Sequence, residues 1–451
     1  MKTKNIARAA IAVGAALALA TGAWAQQSKP LASTFSYYSS EAWQHMADPS
    51  PVFKAVTYER LVDILEQPGT YMFLFGGEWC GNTQPVIGMI DEVAKEYGVK
   101  EIYNFDTKLD SATLQIRDTK NPFANYYVDL VNKYLQNIVT IYDKAQNNVS
   151  YVDKDGKTVV ANKLQVPFLF VYNKDNRDAK GNPAPIIGSY ERMFVWNDFL
   201  TDGKLDPRKA EAYKTQIRPL FDAISVKQGG KKVAKLDYVD DFAFYSRVVD
   251  KKAGAPILGA ADGKPWSIES VTYPEMVRIL QAPGTYVILY GGTWCPNTRA
   301  VIKYINEYAA KYGVGTIYNF DWRLDGATAT LHLRDSKNPY ANLYVDVVEK
   351  YFPDIDVEYR GNSKLDISYA NKDGKVVSAP RLQVPYLFVY NKDHKNASGK
   401  PEPILGHIEL MYTWEDMQPD YKDKDGNVGV HYKTYTAALD KLFGELRTAV
   451  K

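Results

Sequence analysis

The sequence predicts an α/β protein of two tandem domains, each a central mixed sheet flanked by helices. The chain repeats itself, and within each copy apolar strand-like runs alternate with segments of helical periodicity. LQVPFLFVYNKD at 164–175 recurs almost unchanged at 382–393, and most of the stretch at 117–134 recurs at 334–351. The offset between matching positions is nearly constant along the chain. Two large units therefore fit better than a solenoid of short repeats.

The N-terminus has the layout of a secretory signal peptide. Basic residues at Lys2, Lys4 and Arg8 precede an apolar run that is too short to span a bilayer. The small residues of Ala23-Trp24-Ala25 then form a cleavage signal before Gln26. We therefore expect residues 1–25 to be removed and the mature protein to be periplasmic or secreted.

Composition argues against two classes of partner. The chain has 55 basic and 53 acidic residues, and loss of the expected signal peptide would leave a formal charge of −1. Nothing in that balance favours nucleic acid or an anionic membrane. No later apolar run approaches the length of a membrane-spanning helix, so membrane insertion is not expected. Two cysteines in an exported chain of this length also form no disulfide framework.

The repeat sets the domain boundaries. Glycine and lysine cluster at 226–235, directly after a predicted helix. Domain 1 is therefore expected at 30–230 and domain 2 at 236–451.

The first half of each unit reads as helix, strand, helix, strand. In the first copy, residues 58–65 have helical spacing and are closed by Pro68-Gly69. Residues 71–77 form a continuous apolar run, as in a strand buried on both faces. An apolar helix face runs from Val86 to Tyr97, and the strand EIYNFD follows. The second copy repeats each element.

The second half begins with two more helices, one per copy. Asn121-Pro122 and Asn338-Pro339 read as a cap followed by a first-turn proline, which predicts helices ending at Tyr134 and Tyr351. The signal Lys154-Asp155-Gly156 predicts a hairpin. Two strands, at 167–175 and 185–191, and a helix at about 206–226 complete the unit.

In each copy, one cysteine lies at the junction between a buried strand and the helix that follows it. Cys80 and Cys295 follow Gly-Gly-x-Trp, and the helix is expected to begin at once. A helix N-terminus presents unpaired N–H groups and the positive end of the dipole, which favours thiolate over thiol. The thiolate is the nucleophile in exchange with disulfides.

This order of elements, with the phrase EWCGNT, resembles the thioredoxin-like superfamily, here as two tandem domains of an exported bacterial type. The resemblance implies that Cys80 and Cys295 are catalytic. It also implies that the prolines of QVPFLF and QVPYLF are cis and lie against the cysteines, and that the long segment between NFD and each proline contains an insertion. The substrate-binding residues implied are Trp79, Trp294, Val166, Val384, Pro167 and Pro385.

Two departures from the family pattern limit the expected chemistry. Thr83 and Thr298 stand where the family has its resolving cysteine, and Leu74 and Leu289 replace its buried acid. A dithiol cycle within one domain is therefore not expected. What remains is monothiol exchange, in which the threonine hydroxyls could hydrogen-bond the thiolate. The implied partners are oxidised or misfolded envelope proteins or low-molecular-weight thiols, with no cofactor.

Other interpretations stay open. The scaffold could be a non-catalytic peptide- or protein-binding module, with the tyrosine-rich insertion of domain 1 as one surface. Cys80 and Cys295 could also resolve one another if their Cα atoms lay within about 7 Å. The histidines do not cluster in sequence, so no metal site is predicted. They are His45, His332, His394, His407 and His431.

Overall fold

A computed structural model describes residues 31–141, 147–353, 355–358 and 362–449. The expected signal peptide at 1–25 lies outside these residues, as does Tyr142 of the tyrosine-rich insertion. Within the described ranges, no helix combines the length and the apolar character needed to cross a membrane.

Domain 1 follows the predicted alternation of helices and strands. Its elements, with a 3₁₀ turn at Trp196–Phe199 between β7 and β8, are β1 Phe53–Ala55, α1 Tyr58–Glu66, β2 Tyr71–Phe75, α2 Gln84–Glu96, β3 Ile102–Phe105, α3 Ala124–Tyr134, β4 Val149–Val152, β5 Thr158–Ala161, β6 Phe168–Tyr172, β7 Ile186–Glu191, β8 Leu200–Thr201, β9 Lys204–Leu205 and α4 Pro207–Asp222.

The segment between the domains carries short elements, and domain 2 then repeats the pattern. These elements, with a 3₁₀ turn at Ala260–Gly263 before β14, are β10 Ser225–Gln228, β11 Lys231–Ala234, α5 Asp241–Ser246, β12 Val249–Asp250, β13 Ala255–Pro256, β14 Ile268–Ser270, α6 Tyr273–Gln281, β15 Tyr286–Tyr290, α7 Pro296–Tyr312, β16 Ile317–Phe320, α8 Asn342–Tyr351, β17 Ile367–Ala370, β18 Val376–Ala379, β19 Tyr386–Tyr390, β20 Ile404–Ile408 and α9 Val430–Ala449.

Each domain has one five-stranded mixed sheet. The order is β1-β3-β2-β6-β7 in domain 1 and β14-β16-β15-β19-β20 in domain 2. β1, β3 and β2 run parallel, while β6 and β7 are antiparallel to their neighbours, and domain 2 has the same directions. The predicted fold class is confirmed as an α/β protein with two five-stranded mixed sheets flanked by helices, an arrangement consistent with two tandem thioredoxin-like domains.

Helices cover both faces of each sheet because the central strands are apolar on both sides. Every residue of β2 is buried, and so is every residue of β15. In domain 1, Leu61 and Tyr127 of α1 and α3 pack on one face, and Val86 and Ile217 of α2 and α4 on the other. The loop that carries Cys80 follows β2 and lies between these two helical layers.

The inserted segment before each cis-proline contains the expected hairpin. In domain 1, β4 and β5 form a separate two-stranded sheet, with Gly156 at φ 78° in the turn. β17 and β18 form its counterpart. Both hairpins lie outside the central sheets, beside α3 and α8.

The predicted start of the helix in each insertion is wrong. α3 begins at Ala124 and α8 at Asn342, in both cases after the expected Asn cap and proline. The Asn121 side chain instead accepts from the Phe123 N–H at 2.9 Å, closing a local turn that comes before the helix. Asn338 makes the same bond to Tyr340 at 2.9 Å. Local side-chain bonds of this kind compete with helix initiation.

The glycine- and lysine-rich segment at 226–235 forms a hairpin. β10 and β11 pair through a turn at Gly229 and Gly230, both with positive φ. Ala234 then donates its N–H to the Tyr97 carbonyl at 2.9 Å, which ties the hairpin to domain 1. The chain crosses to domain 2 after this hairpin, through α5.

The two domains share one apolar core. A single cluster of buried side chains runs from α1 and α3 of domain 1 to α6 and β16 of domain 2. The rings of Phe123 and Tyr340 lie 5.8 Å apart across the boundary. The Tyr126 hydroxyl donates to Asp325 at 2.8 Å, and Asn121 donates to the Tyr340 hydroxyl at 2.7 Å. The domains therefore pack against one another through surfaces that include their insertions and first helices.

Candidate functional site

The cysteine loops begin where the central strand of each sheet ends. In both, the cysteine N–H donates to a glycine carbonyl earlier in the loop, Gly77 for Cys80 and Gly292 for Cys295, at 3.0 Å. No side chain fits at those glycines. A Cβ on Gly77 would lie 2.2 Å from Asp106 Oδ2, and one on Gly292 would lie 2.1 Å from Asp321. The second glycine therefore lets an aspartate reach the loop.

The two helices after the cysteines begin differently. α7 starts at Pro296 with Cys295 as its N-cap, as predicted. α2 starts only at Gln84, so the expectation of an immediate helix is wrong at Cys80. Proline presets the first helical position, and domain 1 has the permissive Gly81 there. The Cys80 carbonyl still accepts from the Gln84 N–H at 3.1 Å, so one turn precedes the helix.

Each sulfur lies against the loop that carries its domain's cis-proline. The Val166–Pro167 and Val384–Pro385 bonds are cis, as the family resemblance implies. Cys80 Sγ donates to the Val166 carbonyl at 3.5 Å, and Cys295 Sγ donates to that of Val384 at 3.3 Å. Both cysteines are free thiols, 6% and 5% exposed. Groups that are distant in sequence thus meet at one point in both copies.

The threonines do not make the bond expected of them. Thr83 and Thr298 are buried, and their hydroxyl oxygens have no hydrogen-bond partner among the described residues. Their side chains face back to the strand ends, where a Cβ on Gly76 would lie 2.8 Å from Thr83 Oγ1. Leu74 and Leu289 are fully buried in the cores on the α2 and α7 faces.

An aspartate that the sequence reasoning missed holds each tryptophan. Trp79 Nε1 donates to Asp106 at 2.9 Å, and Trp294 Nε1 donates to Asp321 at 2.9 Å. Both tryptophans are partly exposed, as expected of site walls. Burial raises the pKa of Asp106 and of Asp321 to about 6. The repeated tripeptide Asn-Phe-Asp, which ends in these two aspartates, was the sequence signal that could have identified them.

A buried arginine, also missed, stands behind each cis-proline loop. Arg117 and Arg334 are 6% and 3% exposed. Arg117 Nη1 donates to the Leu164 carbonyl, and Arg334 Nη1 donates to that of Leu382 at 2.5 Å. Burial lowers the pKa of both arginines, to about 10 for Arg334, and Coulombic interactions that include Cys80 for Arg117 and Cys295 for Arg334 oppose this lowering. Each guanidinium therefore lies within electrostatic range of the cysteine in its own domain.

The cysteine loops also lie at the domain boundary. Glu78, in the loop of domain 1, pairs with Arg278 of α6 at 3.1 Å. Thr293, the matching loop residue of domain 2, donates to Glu59 of α1. Burial, followed by the charge of Asp321, raises the pKa of Glu59 well above its ordinary value. Each loop therefore contacts the first helix of the other domain.

No group of three or more histidine, cysteine or acidic side chains positioned to hold a metal ion occurs within the described ranges. The histidines stay apart in space as well as in sequence. His45 stacks on Trp196 at 3.7 Å, His407 stacks on Tyr386 at 5.1 Å, and His332 lies near Trp294.

Comparison with known proteins adds little to what the structure shows. No protein-family model matches the chain, and no curated protein matches it. Among solved structures, the chain is similar to the crystal structure of ERdj5 form I, at 10% sequence identity and a TM-score of 0.18. The match covers 89% of this chain but only 30% of that one. A likeness of this size carries no argument about activity.

Proposed function

We propose that the chain is an exported thiol–disulfide protein of thioredoxin type that acts by monothiol exchange through Cys80 and Cys295. The observation that carries the proposal is the meeting of three groups in both copies. In each copy, a free thiol donates to the carbonyl that precedes a cis-proline, and a buried arginine lies behind the same loop. The signal-peptide pattern at residues 1–25 supports the periplasmic or secreted location.

The chemistry is thiol–disulfide exchange with one protein sulfur. The cysteine thiolate attacks one sulfur of a substrate disulfide, and the other sulfur leaves as a thiolate with the bonding electron pair. The protein then holds half of the substrate as a mixed disulfide. A second thiolate, from a low-molecular-weight thiol or from the substrate itself, attacks that bond and restores the cysteine. This sequence serves isomerisation or deglutathionylation without a resolving cysteine.

The experiment is to trap mixed disulfides from cells that export the tagged native chain. Acid quenching and alkylation would preserve adducts on Cys80 and Cys295, which are then identified by non-reducing peptide mapping. The Cys80→Ser/Cys295→Ser double variant is the control. Adducts on either cysteine that disappear in the control support the proposal. Purified chain whose thiols form no adduct with a small disulfide at neutral pH would refute it.

One observation favours a second candidate, a non-catalytic peptide-binding module. Both cysteines are almost fully buried, and Thr83 and Thr298 offer them no hydrogen bond. In that case the tryptophan and cis-proline edge would hold a peptide while the thiol only packs. The double serine variant separates the two candidates, because a binding module keeps its cellular role without either sulfur.

A further inference from the structure

We propose that the site at Cys295 contains an anion-binding pocket, formed by Arg323, Arg334 and Arg381, that takes the carboxylate or sulfonate group of a small sulfur compound. The pocket deepens the proposed function by naming a substrate class for the same site. Anion binding itself needs no reactive thiol, so the two ideas can fail separately.

Arg334 forms the floor of this pocket. Its side chain is 3% exposed, and its Nε has no hydrogen-bond partner among the described residues. Its Nη1 is anchored on the Leu382 carbonyl, in the same loop as the Val384 carbonyl that accepts from Cys295. The guanidinium is therefore fixed on the same loop as the sulfur while keeping an unused donor.

Arg323 and Arg381 bring two more cations to the same place. The Arg323 guanidinium lies 3.6 Å from the centroid of the Trp294 ring. Both arginines are partly exposed, yet the Nε of each is buried without a partner among the described residues. Arg323 therefore lies at the wall that Trp294 provides, while Arg381 directly precedes Leu382, whose carbonyl anchors Arg334.

His332 lies within electrostatic range of all three cations. Its ring meets that of Trp294 edge-on at 5.9 Å, and its Nε2 is buried with no partner in the described part of the chain. Burial, followed by the positive charges of Arg334, Arg323 and Arg381, lowers the pKa of His332 to about 3. The imidazole is therefore neutral at physiological pH and adds hydrogen-bonding capacity without another charge.

The charges in this cluster are not balanced. Asp321 is the carboxylate that acts on Arg334, and its oxygens already accept from Trp294 Nε1. Asp325 and Glu409 also act on neighbouring groups, yet within the described part of the chain none of the three guanidinium groups forms a salt bridge. Burial of unpaired like charges is costly, so an anion that pairs with them would be held firmly. The planar fork of arginine matches the oxygens of a carboxylate or sulfonate.

The first copy has the same charges with different residues. Lys108 lies over the Trp79 ring at 4.1 Å, as Arg323 lies over Trp294. Arg117 matches Arg334, and the charge of Arg117 acts on Lys163, the counterpart of Arg381. Two of the three positions differ between copies, yet all six side chains are basic. Positive charge is therefore the property that the two sites share, and lysine makes the first site the less selective one.

The test uses the mature full-length chain and glutathione sulfonate, an anion that cannot form a disulfide. Binding is measured by calorimetry at low and at physiological salt. The Arg323→Gln/Arg381→Gln variant should bind at least about tenfold more weakly, a loss of about 1.4 kcal/mol, because each substitution removes a charged hydrogen-bond donor. The matched control is Arg447→Gln, an exposed position on α9. It should leave the affinity unchanged.

Three outcomes would overturn the pocket. One is the absence of wild-type binding up to about 5 mM probe, which is far above a useful affinity for a specific site. Another is equal weakening by the Arg447→Gln control. The third is affinity that does not fall with added salt. Binding that survives in Cys80→Ser/Cys295→Ser supports the pocket, even if the native chain forms no mixed disulfides and the proposed exchange fails.

Discussion

Arg334 and Cys295 meet behind the same loop, since the guanidinium donates to Leu382 and the thiol donates to Val384. In sequence they are separated by α7 and β16, and the insertion carries the arginine back to the site. Arg117 and Cys80 repeat the relationship in domain 1. Because each pair lies in its own domain, one protein contains both the test and its control.

Arg334→Gln should slow alkylation of Cys295 by iodoacetamide at neutral pH by about five- to tenfold, because a nearby cation favours the thiolate. Cys80 in the same molecules should react at its wild-type rate. Arg117→Gln should give the reverse pattern. Peptide mapping of the alkylated chain measures both rates together. Equal slowing at both cysteines would point to a global change instead of a local charge effect.

Gly77→Ala should destabilise the chain by about 1–3 kcal/mol, the usual range for overpacking a filled site. The added methyl group would overlap Asp106 and the Trp79 ring nitrogen. Gly81→Ala is the matched control, because a Cβ there meets nothing within 4 Å. Urea unfolding of the two variants gives the comparison. Similar midpoints for both would mean that Asp106 moves away without cost.

Asp106 and Asp321 should make the chain less stable as the pH rises from about 4 to about 6. Burial raises the pKa of each to about 6, so in that window the folded state binds more protons than the unfolded chain. The stabilisation that each protonated aspartate provides below pH 4 is lost by pH 6. The loss amounts to up to about 2–3 kcal/mol of unfolding free energy for each acid. Unfolding in urea across this range measures the loss.

Other buried acids titrate too, so the informative quantity is a difference between proteins. Asp106→Asn/Asp321→Asn keeps an acceptor for the tryptophan N–H groups and removes the ionisation. Its free energy of unfolding, minus that of wild type, should therefore rise between pH 4 and pH 6. A difference that stays constant with pH would show that neither aspartate titrates in this window.

Tyr126→Phe should lower the free energy of unfolding by about 1.5–3 kcal/mol, the value of a hydrogen bond to a charged group. Its hydroxyl bonds Asp325 and Thr328 across the domain boundary, where Asp325 is buried. Tyr151→Phe is the control, since its bond to Asp129 is exposed. Calorimetry measures both variants. If both variants lost the same free energy of unfolding, the position of the Tyr126 bond at the domain boundary would not make that bond stronger.

Sequence reasoning succeeded where local pattern determines structure. The Gly-Gly-x-Trp-Cys loops follow continuous apolar strands, and the Val-Pro pairs come directly before other apolar strands. Both the cysteine side and the proline side of the site could therefore be predicted. The starts of α3 and α8 were predicted wrongly, because Asn121 and Asn338 form turns that only the folded chain distinguishes from caps.

The basic pocket could not be predicted in the same way. Arg323, Arg334 and Arg381 are scattered between β16 and β19 with no regular spacing. They converge only because the insertion folds back between these strands. Charge summed over the chain is near zero, so composition conceals a local excess of this kind. The contacts of Glu78 and Thr293 with the opposite domain depend on docking, about which a sequence contains no short-range signal.

The reciprocal contacts of the two loops have a consequence for the origin of the chain. Each loop contacts the other half's first helix, which is how a two-fold symmetric dimer arranges self-complementary surfaces. An ancestor with one copy could have paired with its twin in this way before gene fusion joined the pair. The two halves now differ at these sites, since the second copy has Arg323 and Arg381 where the first has Lys108 and Lys163.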